Sequence, residues 1–158
     1  MAPIKTPRLL AITTIALLLA AAAPRAQTFP TLPDPHLTPG ATIPVTTTDI
    51  CRPGYARSVR HVSHRAERRV FREYGLRHES GKYEVDHLIS LELGGSNDLR
   101  NLWPQRLDGS PWNARLKDRL ENRLHALVCS GALELRQAQN ALTSDWTAAY
   151  RQYLGAPR

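Results

Sequence analysis

The stretch YEVDHLISLELGGSNDLRNLWPQ, Tyr83–Gln105, decides how this chain reads. Tyr, Val, Leu, Ile and Leu recur from Tyr83 to Leu93 and stop at Gly94-Gly95, the pattern of a strand followed by a turn. Asp86 and His87 are neighbours, so on a strand their side chains point to opposite faces. A strand that served packing alone has little use for an adjacent acid and imidazole. Gly94-Gly95 most simply permits the turn, and Asn97 and Asn101 alone are ordinary turn and cap residues. Their joint spacing is what carries weight.

Working outward, a second short strand is expected near Leu102-Trp103, before Pro104. A helix follows, with Ser110 as N-cap and Pro111 at its first position. Trp112, Leu116, Leu120, Leu124, Leu127 and Val128 form its apolar stripe, and Gly131 stops it. A last helix is expected from Leu135 to Leu154, with Ala138, Leu142, Trp146 and Tyr150 at core spacing. Upstream, Arg52 to Arg77 holds eight arginines and two acids, Glu67 and Glu73. Within it a helix is expected from Val62 or Ser63 to Tyr74, with Ala66, Val70 and Tyr74 inward and Arg65, Arg68, Arg69 and Arg72 turned elsewhere. Gly75 stands where a C-terminal cap belongs. That basic face is either solvated or aimed at phosphate.

The chain of 158 residues suggests one domain, with 21 Lys+Arg against 14 Asp+Glu. Lys5 and Arg8 precede an apolar run from Leu9 to Ala23, the layout of a secretory signal peptide over residues 1–26. The run is shorter than the ~20 residues of a membrane span, although an uncleaved anchor is the rival. Cleavage after Ala26 removes Lys5, Arg8 and Arg25 and no acid, so the mature balance falls to +4, from 18 basic and 14 acidic side chains. An exported protein, periplasmic or secreted, with no stable membrane association is therefore expected. Export makes Cys51 and Cys129 a disulfide by preference, with a two-cysteine zinc site as the alternative. Residues 27–50, with five prolines and Thr46-Thr47-Thr48, read as an extended, mobile linker.

Asp86-His87-Leu88-Ile89, Leu91, Leu93-Gly94-Gly95, Asn97, Leu99 and Asn101-Leu102 resemble the first two-thirds of the HNH endonuclease motif. The resemblance covers about twenty residues and implies an α+β fold: a ββα-metal, HNH-like core with additional flanking helices, filling residues 51–158 as a nuclease domain. It implies hydrolysis of phosphodiester bonds in DNA, with RNA as a secondary substrate; low sequence specificity is expected because nothing in the chain resembles a groove-reading module. His87 is then the catalytic base, and its ordinary pKa near working pH suits that role. Asp86 is implied as a ligand of a divalent cation, Mg2+ or Mn2+. Asn101 is implied as the residue that holds the loop in shape and either orients the base or touches the metal.

The chain departs from the motif at its third position, where a helical histidine is expected as a metal ligand. His125 is the only later histidine and stands too far along the helix. Asn113 is the first candidate in its place, and Asp118 is a second hard-oxygen ligand. Lys117 is expected to hold phosphate, or to pair with Glu121 at i,i+4. Arg65, Arg68 and Arg69 are the expected substrate-backbone contacts. His61 and His64 are weaker candidates for the same role. The cysteines that hold structural zinc in many HNH relatives are absent, and the Cys51–Cys129 bridge could supply that rigidity. Two other readings compete: a catalytically degenerate HNH frame binding nucleic acid or another envelope polyanion, and a structural module of the envelope. No paired acids suggest glycoside hydrolysis, and no Ser-x-x-Lys or Gly-x-Ser-x-Gly motif suggests acyl transfer.

Overall fold

Asp86 and His87 end a five-residue strand. In the computed structural model, which describes Met1 and residues 31–79 and 81–157, β1 (Tyr83–His87) pairs antiparallel with β2 (Leu102–Arg106). The register sets Glu84 opposite Gln105, Asp86 opposite Trp103 and His87 opposite Leu102. Glu84, Asp86, Trp103 and Gln105 therefore share one face of the ribbon, and Tyr83, His87 and Leu102 the other. Around it lie α1 (Thr47–Ile50), α2 (Tyr55–Val59), α3 (His64–Glu73), α4 (Ala114–Cys129) and α5 (Leu135–Leu154). The class is α+β, as expected.

The expected strand to Leu93 breaks after His87. Leu88 N–H still donates to the Asn101 carbonyl at 2.8 Å, but Leu91–Leu93 then form a 3-10 turn. The reason is burial: Leu88, Ile89, Leu91 and Leu93 are all at most 3 % exposed. A strand in this ribbon would send Leu88 to one face and Ile89, Leu91 and Leu93 to the other, so the chain leaves the ribbon and drops all four into the core. The connection to β2 is a long folded loop rather than a hairpin turn. Gly94 sits at φ +77°, which favours glycine, and a Cβ on Gly95 would overlap the Ile89 carbonyl.

The core is the seam between α4 and α5. Leu116, Leu120, Leu124 and Val128 meet Ala138, Leu142, Trp146 and Tyr150, with Ile50, Ile89 and Leu93 closing the end. The expected stripe on α4 is thus in place. Its N-cap is Asn113, three residues later than expected: the Asn113 carboxamide accepts from Leu116 N–H at 3.1 Å and donates to the Gly109 carbonyl at 2.9 Å. Ser110 and Pro111 stay outside the helix. α5 matches the expected span but is kinked at Asp145, whose carboxylate caps the second segment through Thr147 and Ala148 N–H.

α3 matches the expected span, with Ser63 as its N-cap, but it buries Val70 and Phe71, while the expected inward residues Ala66 and Tyr74 are only half-buried. It covers the face of the ribbon opposite α4, with Phe71 edge-on to Tyr83 at 6.3 Å. Cys51 and Cys129 form a disulfide with Cα atoms 5.6 Å apart, tying the end of α1 to the end of α4. Closing a loop of that length stabilises by about 4 kcal/mol through the unfolded chain.

The linker expectation is corrected over residues 31–50. Thr38 is 1 % exposed, with its hydroxyl donating to the Leu102 carbonyl at 2.9 Å. Gly40 N–H donates to Arg100, Ile43 N–H to Gly94, and Ser96 N–H returns to Ala41. Pro33, Pro35, Pro39 and Pro44 keep regular helix out of the chain before α1, but an extended chain can still hydrogen-bond as a strap through its remaining backbone N–H and C=O groups. The signal-peptide reading of residues 1–26 and the first four linker residues lie outside the described residues, Met1 excepted. Among the described residues, no helix is long and apolar enough to cross a membrane.

Candidate active site

Asp86 lies at the point where β1 passes α4. There Lys117, with 1 % of its side chain exposed, reaches across from the helix. Its ammonium donates to Asp86 Oδ2 at 2.6 Å, to the His87 carbonyl at 2.7 Å and to Glu121 Oε1. An ammonium has three donors, and all three are committed. Lys117 is therefore not available to substrate phosphate, which corrects that assignment. It is a buried internal cation, and the i,i+4 pairing with Glu121 is part of its seat. Burial alone would drive its proton off, but Asp86 and Glu121 outweigh burial and raise its pKa. Burial pushes the Glu121 carboxyl up to about 8 against the opposing charge of Lys117.

His87 faces the other way, as adjacent strand residues must. Asn97 Nδ2 donates to the Val59 carbonyl at 2.8 Å, which orients the amide so that its Oδ1 accepts from His87 Nε2 at 3.1 Å. That assigns the proton of the neutral ring to Nε2 and the lone pair to Nδ1. Nδ1 has no hydrogen-bond partner among the described residues. Burial lowers the imidazole's pKa, opposed by the Asn97 bond and the charge of Asp86. The neutral, proton-accepting ring is thus favoured near neutrality. The residue itself is only 2 % exposed.

Asn101 is fully buried. Its Oδ1 accepts from Ile89 N–H at 2.9 Å, and its Nδ2 donates to the Ile89 and Ser96 carbonyls, both at 2.9 Å. Every capacity of its amide that matters is used to close the loop after β1. The loop-holding part of its expected role stands as geometry. The amide has no donor left for a substrate, so the catalytic label becomes a positioning one.

The acids around this point exceed the cations. Burial, then Asp86 and Asp118, raise Glu84 to about 6. Desolvation and then Asp86 raise Asp118, although much of that residue is at the surface and the effect is correspondingly screened. Glu92 is raised by burial, with Asp118 adding and His125 opposing. Only Lys117 and Arg60 act against the rise at Glu84 and Asp118. A cavity of about 260 Å³ opens beside them, lined by Arg60, Ser90, Glu92, Asp118 and Glu121 among others. Ser90 Oγ is buried there without a partner. Asp86, Glu84 and His87 do not line this cavity, and Arg60 places a fixed positive charge on its wall beside the acids.

The structure thus brings Asp86, Asp118 and Lys117 into one electrostatic neighbourhood and leaves Asn113 out of it. Asn113 is committed to its cap on both sides of its amide, which is the physical reason it is no third ligand. Arg60 was missed by the sequence reading. It is exposed, ends α2, and its charge reaches Glu84, His87 and Asp118. Nothing but membership of the basic run marks it in the sequence.

Arg65, Arg68 and Arg69 are exposed on α3 and, with Arg72 and Glu73, line one surface groove. Arg69 is tied to Glu73 at 2.6 Å, whereas Arg65 and Arg68 make no ion pair among the described residues. His64 pairs with Glu67 at 2.9 Å, and His61 meets Asn97 only through its backbone N–H. Among the described residues, the group of metal-ligand types whose donor atoms converge is Cys51, His125 and Cys129, with those atoms within 4.8 Å of one another. It could hold a metal ion, but the two sulfurs are joined as a disulfide and offer no thiolate while the bridge stands.

Compared with known proteins, the chain matches no family model, no curated protein and no solved structure.

Proposed function

We propose that the protein is an exported, metal-dependent endonuclease of HNH type, with β1, β2 and α4 as its ββα-metal core. The observation that supports this most is a neutral imidazole with an unpartnered Nδ1 next in sequence to Asp86, with an under-neutralised group of carboxylates on the other face of the same strand. Asp86 and Asp118 would hold Mg2+ or Mn2+, which supplies charge neutralisation at the scissile phosphate. His87 Nδ1 accepts a proton from the attacking water as the new P–O bond forms and the bond to the leaving oxygen breaks. Asn97 fixes the ring through Nε2, and Asn101 fixes the backbone that carries it. Arg60, with Arg65 and Arg68 further out, draws in the polyanion. Supercoiled plasmid incubated with the disulfide-bonded protein tests this: nicking with Mn2+ or Mg2+, abolished by chelator, supports it, and an unchanged plasmid contradicts it.

One observation favours a second reading. Lys117 already occupies Asp86 Oδ2, and His87 is deeply buried. Both suit a frame that binds nucleic acid without cutting it. Salt-sensitive DNA binding with no metal-dependent product would select that reading.

A further inference from the structure

The Cys51–Cys129 bridge has an imidazole against it. His125 and Cys129 stand four residues apart on α4, so their side chains share one helix face. His125 Nε2 lies 3.3 Å from Cys129 Sγ. Cys51 enters from the end of α1, its Cα 5.6 Å from that of Cys129. One donor atom from each of the three residues falls within 4.8 Å of the other two. Cys129 is exposed, and Cys51 and His125 are half-buried, so the group meets solvent. The bond from Nε2 to the Ile50 carbonyl, at 3.1 Å, gives the ring one structural use. It does not account for the sulfur beside the same nitrogen, or for Glu92 Oε2, 4.0 Å from the ring's other nitrogen, Nδ1.

Two thiolates and one imidazole are a borderline-soft donor set, which favours Zn2+ over Mg2+ or Mn2+. Bonds of about 2.3 Å to sulfur and about 2.0 Å to nitrogen put tetrahedral nitrogen and sulfur ligands about 3.6 Å apart. The 3.3 Å between His125 and Cys129 is already close to that. Two freed sulfurs need about 3.8 Å, which rotation about their Cα–Cβ bonds supplies at the Cα separation present. We propose that reduction of the bridge by a dithiol converts this group into a zinc site, with Cys51 Sγ, Cys129 Sγ and His125 Nε2 as ligands and water in the fourth position. The dithiol gives two electrons and two protons to the bridge and closes its own disulfide, and the S–S bond becomes two thiols. Zn2+ then displaces both thiol protons, so two thiolates balance its charge. The ring proton moves from Nε2, which leaves the Ile50 carbonyl, to Nδ1, where Glu92 holds it. Bridge and metal exclude each other, because both use the same two sulfurs. The proposal does not rest on the cleavage reading, because metal capture here is measured without hydrolysis.

The test takes the full chain in two forms: bridged, and reduced with dithiothreitol that is then removed without air. Co2+ stands in for Zn2+, because a tetrahedral thiolate site gives it visible and near-ultraviolet absorption bands. Reduced protein should bind one equivalent of Co2+ with those bands, Zn2+ should displace it, and bridged protein should give none. Zn2+ should raise the melting temperature of the reduced form and leave that of the bridged form unchanged. His125→Ala should keep the bridged fold by circular dichroism. Once reduced, it should bind Co2+ at least about tenfold more weakly and with shifted visible bands. The proposal is overturned if reduced protein gives no thiolate–Co2+ band, if bridged protein binds as tightly, or if reduced His125→Ala binds with wild-type affinity and spectrum. Any of these outcomes leaves Cys51–Cys129 as a staple alone. Should His125→Ala fail to fold, the ring nitrogen-15 signals of His125 decide on reduced wild-type protein: Zn2+ should shift Nε2 far more than Nδ1, and an unmoved Nε2 overturns the proposal.

Discussion

Lys117 on α4 donates to Asp86 on β1 at 2.6 Å, so the acid nominated for a metal ion already carries a cation supplied by the chain itself. The bond also fixes where the helix crosses the ribbon. Removing the ammonium leaves Asp86 and the buried Glu121 without the donor that both accept from. Lys117→Met should therefore destabilise the protein by about 3–5 kcal/mol, the usual result of breaking one side of a buried pair. Urea unfolding measures it, and a loss below about 1 kcal/mol would show that the pair is not buried as described.

Asn101 makes three hydrogen bonds that no water can replace. Asn101→Ala should cost about 2–4 kcal/mol, and Asn101→Asp should do no better, since it loses both donors of Nδ2. The readout is again chemical unfolding. An Asn101→Asp protein as stable as wild type would show that the donors to the Ile89 and Ser96 carbonyls are not needed.

Glu84 gives the pH dependence. Its folded pKa, about 6, lies above the ordinary 4.5, because of burial and then Asp86 and Asp118. The folded state thus binds the proton more tightly than the unfolded chain. The stability this contributes is complete below pH 4.5 and is lost as pH rises through about 6. Glu84→Gln should match wild type at low pH and exceed it by about 1 kcal/mol near neutrality, after allowance for solvent screening. Melting temperatures across that window check the sign. A variant no more stable than wild type at neutral pH contradicts the assignment.

Arg60 stands beside His87 and the acids, whereas Arg68 stands on α3. Arg68→Ala should weaken DNA binding uniformly across sequences and reduce the salt slope by about one phosphate's worth. Arg60→Ala should do the same and also lower turnover at saturating DNA. Equal effects of the two variants on turnover would remove Arg60 from the site.

Much of this arrangement was legible before the structure. Periodicity placed the spans of α3 and α5 closely, through Val70 and through Ala138, Leu142 and Trp146, but it missed Phe71, which is buried one position off the expected spacing. It placed α4 correctly but began it early, since Ser110-Pro111 and Asn113 both look like starts and only packing of Trp112 chooses between them. The Asp86-His87 pair and the Cys51–Cys129 bridge followed from local pattern and from an even cysteine count. What local pattern could not reveal was long-range. Nothing in the i,i+4 spacing of Lys117 and Glu121 indicates that the ammonium crosses to Asp86, 31 residues back. Thr38 and Gly40 could not be seen as a strap, because their partners, Leu102 and Arg100, become neighbours only when the ribbon forms. Gln105 and Trp103 read simply as a strand end. Their unmatched polar atoms are visible only once the ribbon is packed.

The account turns on His87 as the proton acceptor of a hydrolytic site. The most direct measurement is the rate of supercoiled-plasmid nicking, with saturating Mn2+, by wild type and by His87→Ala shown to be folded by its circular dichroism and melting curve. The account predicts metal-dependent nicking by wild type and a loss of at least about a hundredfold in the variant, the scale of a missing general base. Nicking by His87→Ala at the wild-type rate, or none by either protein, would contradict it.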